Sequence, residues 1–167
     1  MFQVNDTIIY GTQGVCKIVG IEEKAIGGTR KDYFVLKPLS NNNSTVFAPT
    51  DNKAVLSKMR RVLSKNEIDA LIDSMPHKQE NWIEDVRKRR EVYKQIITAG
   101  DHAELIKMIK AIYLQKQERE AAGRRLHMAD EQLFKQAEQI LYEEFQYVLS
   151  LNTKEELMAY ITGRIGE

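Results

Sequence analysis

The spacing of apolar positions changes from two residues to three or four between about residues 50 and 64. Before this point, short β-branched and aromatic runs are separated by Gly, Pro and Asn, a pattern typical of strands and tight turns. The predicted strands cover residues 7–10, 15–23, 33–36 and 45–48. Gly20 suits a bulge, and Gly27-Gly28 suits a tight turn between two strands. Such short strands predict a small β-barrel or a strongly bent sheet with at least one edge strand.

From Ser64 onward the apolar spacing is helical. Ser64 and Glu67 predict a capping box, and the helix that follows should end before Pro76. Further helices are predicted over residues 81–99, from Asp101 to near Gly123, over 129–150, and from Thr153 to near Gly163. The sequence therefore predicts an α+β protein of two modules, a β module over residues 1–60 and an all-α bundle of about five helices over 64–167.

Charge is distributed unevenly, although the formal net charge is only +1. Residues 1–62 carry nine Lys and Arg against five Asp and Glu, and residues 76–127 carry twelve against eight. Residues 128–167 carry three against eight, a net charge of −5. We therefore expect a polyanionic partner to meet the front or the middle of the chain rather than its acidic C-terminal part.

The composition is that of a globular protein, with 43% hydrophobic and 29% charged residues. Cys16 is the single cysteine, so no internal disulfide is possible. The opening MFQVNDTIIYG lacks the basic and apolar regions of a signal peptide, and no apolar run approaches the roughly 20 residues that span a bilayer. We expect a cytoplasmic protein without membrane contact, monomeric in solution.

Catalytic motifs are missing from the sequence. His77, His102 and His127 are scattered and form no spaced pair of metal ligands. Gly27-Gly28 lacks the Lys and helix of a phosphate-binding loop, and no serine lies in a nucleophile elbow. We therefore expect a non-enzymatic protein without catalytic residues, cofactor or metal.

Residues 81–94, NWIEDVRKRREVYK, combine the single tryptophan with the densest basic run. On a continuous helix, Trp82, Val86, Arg89 and Tyr93 would share one face. One interpretation is nucleic-acid contact, because cations bind phosphates and a flat indole can stack on a base or wedge beside it. The other is a core tryptophan beside a solvated charged face, and the pattern alone favours this second interpretation.

The ordered set of features resembles the CarD/CdnL family of bacterial transcription regulators over essentially the full chain. In the first module the resemblance lies in FQVNDTIIY at 2–10, GV at 14–15, residues 18–23, DYFVLK at 32–37 and the strand closed by Pro49. In the second it lies in NW at 81–82, GD at 100–101, QER at 117–119 and AEQIL at 137–141. No single motif is highly specific, but their order is.

The resemblance implies a Tudor-like barrel, similar to the polymerase-binding domain of transcription-repair coupling factors, that docks on the β subunit of RNA polymerase through a strand edge. It also implies that the helical module contacts promoter DNA at the upstream edge of the melted bubble. Trp82 would wedge into the minor groove there and slow bubble collapse. The outcome would be a more stable open complex, often at ribosomal RNA promoters.

The same resemblance assigns roles to individual residues. The DNA backbone would be held by Arg87, Lys88, Arg89, Arg90 and Lys94, and polymerase would be contacted by Lys24, Thr45, Val46 and Phe47. Lys24 keeps the charge of a family residue that contacts polymerase, whereas Phe47 stands where a second family basic residue falls, so this interface would rely more on apolar strand contact.

Two points remain open in the sequence. The strand over 45–48 is either an exposed edge that recruits a partner strand or an ordinary barrel strand. The acidic C-terminal part and the near-zero net charge also fit an alternative, a protein-interaction adaptor of the transcription machinery without direct DNA contact.

Overall fold

The first part of the chain forms a five-stranded antiparallel sheet in the computed structural model, which describes residues 2–41 and 43–166. The strands are β1 (Thr7–Tyr10), β2 (Val15–Ile26), β3 (Thr29–Pro38), β4 (Val46–Pro49) and β5 (Met59–Arg61). Their order is β4-β3-β2-β1-β5, so β4 and β5 lie at the two edges. Contacts divide the chain into two compact units, Met1–Val62 and Leu63–Glu167, called here the N-terminal unit and the helical unit.

Glycines shape the long hairpin of β2 and β3. Gly27 and Gly28 have φ of 64° and 81°, as a two-residue turn of type I′ requires, and they join the paired residues Ile26 and Thr29. The register shifts between Ile18 and Gly20, which confirms the predicted bulge. The turn and the bulge together let β2 and β3 curve around a small core.

The core of the N-terminal unit takes side chains from all five strands. Its buried members are Ile8, Cys16, Ile18, Phe34, Leu36, Ala48 and Met59. Two elements were not predicted, a one-turn helix α1 (Lys53–Leu56) and strand β5. Asn52 caps α1 by accepting hydrogen bonds from the amides of Ala54 and Val55. Both elements are too short to show a periodic pattern, and β5 is defined by its pairing with distant β1.

Five α-helices lie in the described part of the helical unit, residues 63–166. They are α2 (Lys65–Ser74), α3 (Val86–Ala99), α4 (His102–Ala121), α5 (Met128–Leu149) and α6 (Lys154–Ile165). The predicted capping box of Ser64 and Glu67 is confirmed, and Asp101 and Thr153 cap α4 and α6 as expected. A β unit followed by about five helices confirms the predicted two-module α+β class.

One predicted helix start was wrong, and one helix extends two residues past its predicted end. Helix α3 begins at Val86 rather than near residue 81, because the side chain of Asp85 accepts a hydrogen bond from the amide of Lys88 and caps the helix there. Helix α6 passes through Gly163 and ends only at Gly166, whose φ of 81° terminates it.

The helical unit contains two hydrophobic clusters. The first joins α3, α4 and α5 and is formed by Tyr93, Ile96, Ile97, Leu105, Met108, Ile112, Leu126, Leu133 and Ala137. The second joins α2, α4, α5 and α6 and is formed by Ile68, Ile72, Ile106, Leu141, Phe145, Leu157 and Ile161. Trp82 packs against the first cluster, which places it beside α3.

Candidate functional site

Trp82 lies in an irregular segment, residues 81–85, that precedes α3. The backbone amide of Trp82 donates to Glu80 Oε2 at 2.9 Å, and the hydroxyl of Tyr93 donates to the carbonyl of Asn81 at 3.2 Å. Burial raises the pKa of the Tyr93 hydroxyl above its usual value of about 10, which favours the neutral, hydrogen-bond-donating form further. The segment is therefore attached to α3 at its first residue.

Arg89 attaches the rest of this segment. Its Nη1 donates to the carbonyls of Ile83 and Glu84 at 2.9 and 3.3 Å. Its Nε and Nη2 donate to the two carboxylate oxygens of Asp130 on α5 at 3.1 and 2.8 Å. Its Cζ lies 4.2 Å from the centre of the Trp82 ring, within cation–π distance. Trp82 therefore stacks on a guanidinium that is itself bound by a carboxylate on α5.

The predicted role of Arg89 as a contact to the DNA backbone is wrong. Only 1% of Arg89 is exposed, and its guanidinium already makes four hydrogen bonds inside the helical unit. A phosphate would have to displace a buried carboxylate to reach it. The side chain supports the site from within rather than facing a partner.

The surroundings of Trp82 agree in part with each interpretation of the sequence, a core tryptophan and a tryptophan that contacts a partner. Trp82 lies outside α3, so it does not share a helical face with Val86, Arg89 and Tyr93. It contacts Arg89 because the irregular segment brings its ring against the guanidinium. The side chain is partly buried against the core, and its buried Nε1 makes no hydrogen bond with any residue that the structure describes. The residue as a whole remains partly exposed to solvent.

Three of the other four basic residues of this stretch are exposed, whereas the Nε of Arg90 is buried without a hydrogen-bond partner among the described residues. Arg87, Lys88 and Lys94 are exposed, and Arg90 is partly buried. Across residues 2–41 and 43–166, none of these four side chains forms an ion pair. Arg87 and Lys88 lie in the first turn of α3, where the helix dipole is positive and the side chain of Asp85 caps the helix. The charged ends of the two side chains form no ion pair in the part of the chain that the structure describes, so they are available to an anion.

A second surface lies at the β4 edge of the N-terminal unit. The ammonium of Lys24 lies 3.9 Å from the centre of the Phe47 ring, and 38% of Phe47 is exposed. Thr45 is exposed just before β4, and its hydroxyl accepts a hydrogen bond from Lys37. Val46 packs against the core, so it would offer a partner its backbone rather than its side chain.

Two residues of the Trp82 site, Asp130 and Glu80, were not singled out from the sequence. Asp130 is 41 positions from Arg89, and Glu80 precedes the predicted helix. No local pattern indicates the first of these, because its role depends on the packing of α5 against α3. A buried Asp in the first turn of an amphipathic helix is the one signal that could have drawn attention to it.

Other site types find no support in the part of the chain that is described. Within residues 2–41 and 43–166, no three His, Cys, Asp or Glu side chains group closely enough to hold a metal ion. Among the same residues, no helix has both the length and the apolar character needed to cross a membrane.

Comparison with known proteins adds two findings. The family model of the CarD-like/TRCF RID domain matches residues 2–63, which confirms the predicted resemblance and the Tudor-like character of the β unit. A Bacillus subtilis (strain 168) protein named "Putative transcription factor YdeB" is 23% identical over 155 residues, covering 93% of this chain and 97% of that protein. The similarity therefore extends beyond the matched domain into the helical unit.

Proposed function

We propose, from the membership of residues 2–63 in the CarD-like/TRCF RID domain family, that this chain is a transcription regulator acting on RNA polymerase. The N-terminal unit binds the polymerase β subunit. The helical unit stabilises the promoter open complex at the upstream fork of the bubble through Trp82, Arg87, Lys88, Arg90 and Lys94. The observation that carries this proposal is an indole fixed beside a helix start with unpaired cations, in a chain with this domain at its front.

The polymerase contact is assigned to the β4 edge. An edge strand can accept a partner strand through its backbone, while side-chain pockets and anchors give specificity. Phe47 provides an exposed aromatic anchor, and Lys24 provides a cation held over its ring. Aromatic anchors of this kind contribute much of the binding energy at protein interfaces.

The DNA contact is assigned to the surface around the start of α3. Arg87 and Lys88 provide exposed side-chain cations near the start of α3, and such cations bind phosphates, although the Asp85 carboxylate caps the helix itself. Trp82, which is partly exposed, can wedge beside an unpaired base, and its fixed position lowers the entropic cost of doing so. Tethering to polymerase raises the local DNA concentration, so weak contacts suffice.

The lifetime of the open complex on a ribosomal RNA promoter tests this proposal. We expect Trp82→Ala to shorten the lifetime about tenfold, towards that without the protein, while polymerase binding is retained. Tyr113→Ala, which removes an exposed aromatic side chain from α4, is the matched control and should leave the lifetime unchanged. An unaltered lifetime for Trp82→Ala with normal polymerase binding contradicts the wedge mechanism.

A second candidate is a protein-interaction adaptor without DNA contact. It is favoured by the partial burial of Trp82 and by the net charge of −5 over residues 128–167. The two candidates differ in their dependence on salt, because phosphate contacts release counterions. The adaptor would be favoured if, with polymerase present, the protein did not bind forked promoter DNA or bound it with an affinity that does not depend on salt.

A further inference from the structure

We propose that the buried Arg89–Asp130 pair is a positioning element for Trp82. Asp130 on α5 orients the guanidinium of Arg89, and the guanidinium in turn orients the indole and the backbone of residues 81–85. The expected effect of this pair on the open complex rests on the proposed function. The positioning of Trp82 itself is a property of the free protein.

The geometry of the guanidinium supports this role. A guanidinium is planar, and its N–H donors point outward in that plane. On one side the donors bind Asp130, and on the other they bind the carbonyls of Ile83 and Glu84. The flat face is left to lie over the Trp82 ring, 4.2 Å from its centre. One side chain thus fixes both the path of the segment and the position of its aromatic ring.

At its end the segment is joined to α3 by the cap of Asp85, and Trp82 and Ile83 pack against the first cluster. Of its described carbonyl groups, those of Ile83 and Glu84 are held by Arg89 and that of Asn81 by Tyr93. Without Arg89, the two residues that follow Trp82 would lose these bonds, and the ring would lose its supporting face. We therefore expect the indole to move relative to α3, although the core cluster behind it is intact.

If the Arg89–Asp130 pair had only a structural role, replacing both residues in a folded protein would leave the position of Trp82 unchanged. A buried ion pair is weak support for stability, because apolar residues of similar volume often replace it without loss, whereas removing one partner leaves an uncompensated charge. The double variant Arg89→Met with Asp130→Leu removes both charges and keeps most of the volume. It therefore separates folding from the positioning of Trp82.

Tryptophan fluorescence provides the readout, because Trp82 is the single tryptophan of the chain. In the full-length double variant we expect a cooperative unfolding transition near that of the wild type. We also expect a red-shifted emission maximum and an acrylamide quenching constant about twofold higher, as for a locally opened segment. Arg89→Lys should not restore the wild-type values, because a compact ammonium lacks the planar fork that holds two carbonyls and a carboxylate.

The chain contains a matched control pair. Arg164 donates through Nε and Nη2 to both carboxylate oxygens of Asp73 at 3.0 and 2.8 Å, linking α6 to α2 at an exposed position. Arg164→Met with Asp73→Leu therefore removes a second two-bond Arg–Asp pair that does not contact Trp82. Its fluorescence and quenching should equal those of the wild type.

Each outcome decides the question. A folded double variant with wild-type emission and quenching overturns the proposal. Should that variant lack a cooperative transition, Asp130→Asn is measured instead, and unchanged quenching in a folded Asp130→Asn protein overturns the proposal equally. Loss of folding in both variants would assign the pair to folding and also overturn it.

The promoter assay keeps this inference separate from the proposed function. If both hold, the double variant shortens the open-complex lifetime as much as Trp82→Ala does. If fluorescence changes as expected but Trp82→Ala leaves the lifetime unaltered, positioning stands and the promoter role fails. If fluorescence does not change while Trp82→Ala shortens the lifetime, the promoter role stands and the positioning role of Arg89–Asp130 fails.

Discussion

Lys24 on β2 places its ammonium 3.9 Å from the centre of the Phe47 ring on the edge strand β4. The cation lies over one face of the ring. The backbone of Phe47 pairs with that of Val35 on β3, so the opposite edge of β4 is the edge of the sheet. A cation over a partly exposed ring contributes roughly 0.5–1 kcal/mol. Two residues 23 positions apart in sequence therefore form one amphipathic surface at the open edge of the sheet.

Truncation of Phe47 should weaken polymerase binding. We expect Phe47→Ala to lower affinity for the isolated β subunit by about tenfold, since aromatic anchors commonly contribute 1–2 kcal/mol or more. Titration calorimetry measures this loss. Ile26→Ala is the control, because Ile26 is a more exposed apolar residue, at 59%, at the far end of the β2–β3 hairpin. Equal losses in both variants, or none in Phe47→Ala, would contradict a role for the β4 edge.

The salt dependence of DNA binding should report the cations of α3. For polymerase carrying the full-length protein on forked promoter DNA, we expect Arg87→Gln with Lys88→Gln to flatten the plot of log affinity against log salt. Each lost phosphate contact should reduce the slope by about 0.7–0.9. Lys135→Gln on α5 is the control, since it removes an exposed cation from the acidic part of the chain. An unchanged slope in the double variant would place phosphate binding elsewhere.

Local signals in the sequence predicted much of this fold. The capping box of Ser64 and Glu67, the bulge at Gly20 and the Gly27-Gly28 turn each involve residues within a few positions of one another. Local chemistry alone decides such features, so a single sequence is sufficient to predict them. The same holds for the caps of α4 and α6.

The Trp82 site could not be predicted in the same way. The helical spacing placed Arg89 on the same face as Tyr93, but its buried partner Asp130 is 41 residues away, so the sequence did not indicate the ion pair. The start of α3 was misplaced because residues 81–85 continue an apolar pattern, whereas the side chain of Asp85 caps the helix at Val86. Hydrogen bonds from Arg89 and Tyr93 then hold the preceding backbone outside the helix.

The buried carboxylate of Glu144 should be important for stability. Only 1% of Glu144 is exposed, and it accepts a hydrogen bond from the Leu63 amide at 2.7 Å and lies 2.9 Å from Nε2 of His102. Glu144→Leu would leave buried polar groups unpaired, so we expect urea denaturation to show a loss of about 2–4 kcal/mol. Glu144→Gln keeps one acceptor oxygen and should lose less. Glu118→Gln, at an exposed position of α4, should have almost no effect.

Acid should weaken the contact between α2 and α6. The hydrogen bond from Lys65, and then that from Tyr160, lowers the pKa of Asp69, and the hydrogen bonds from Arg164 lower the pKa of Asp73. A carboxyl whose pKa is lower in the folded than in the unfolded state stabilises the fold above its unfolded pKa of about 3.9. That contribution is lost as the pH falls through the folded pKa.

Denaturation curves across a pH series measure this effect. We expect Asp73→Asn to be less stable than the wild type at pH 7, and the difference to shrink as the pH falls below about 4. Glu120→Gln, at an exposed position of α4, is the control and should show no such convergence. A constant difference between Asp73→Asn and the wild type at all pH values would show that the Asp73 carboxylate does not contribute through its charge.

Replacing Gly163 by alanine should stabilise the helical unit. Gly163 was expected to end α6, yet the helix continues to Ile165, and a Cβ at position 163 would meet nothing within 4 Å. Glycine inside a helix costs roughly 0.5–1 kcal/mol relative to alanine, because the unfolded chain loses more freedom on folding. We expect Gly163→Ala to raise the free energy of unfolding by about this amount in urea.

Gly100→Ala is the counterpart. Gly100 has a φ of 70° after α3, where a side chain is strained, so this variant should lower the free energy of unfolding by about 1 kcal/mol. Gains, or losses, in both variants would contradict the assignment of Gly163 to the helix interior.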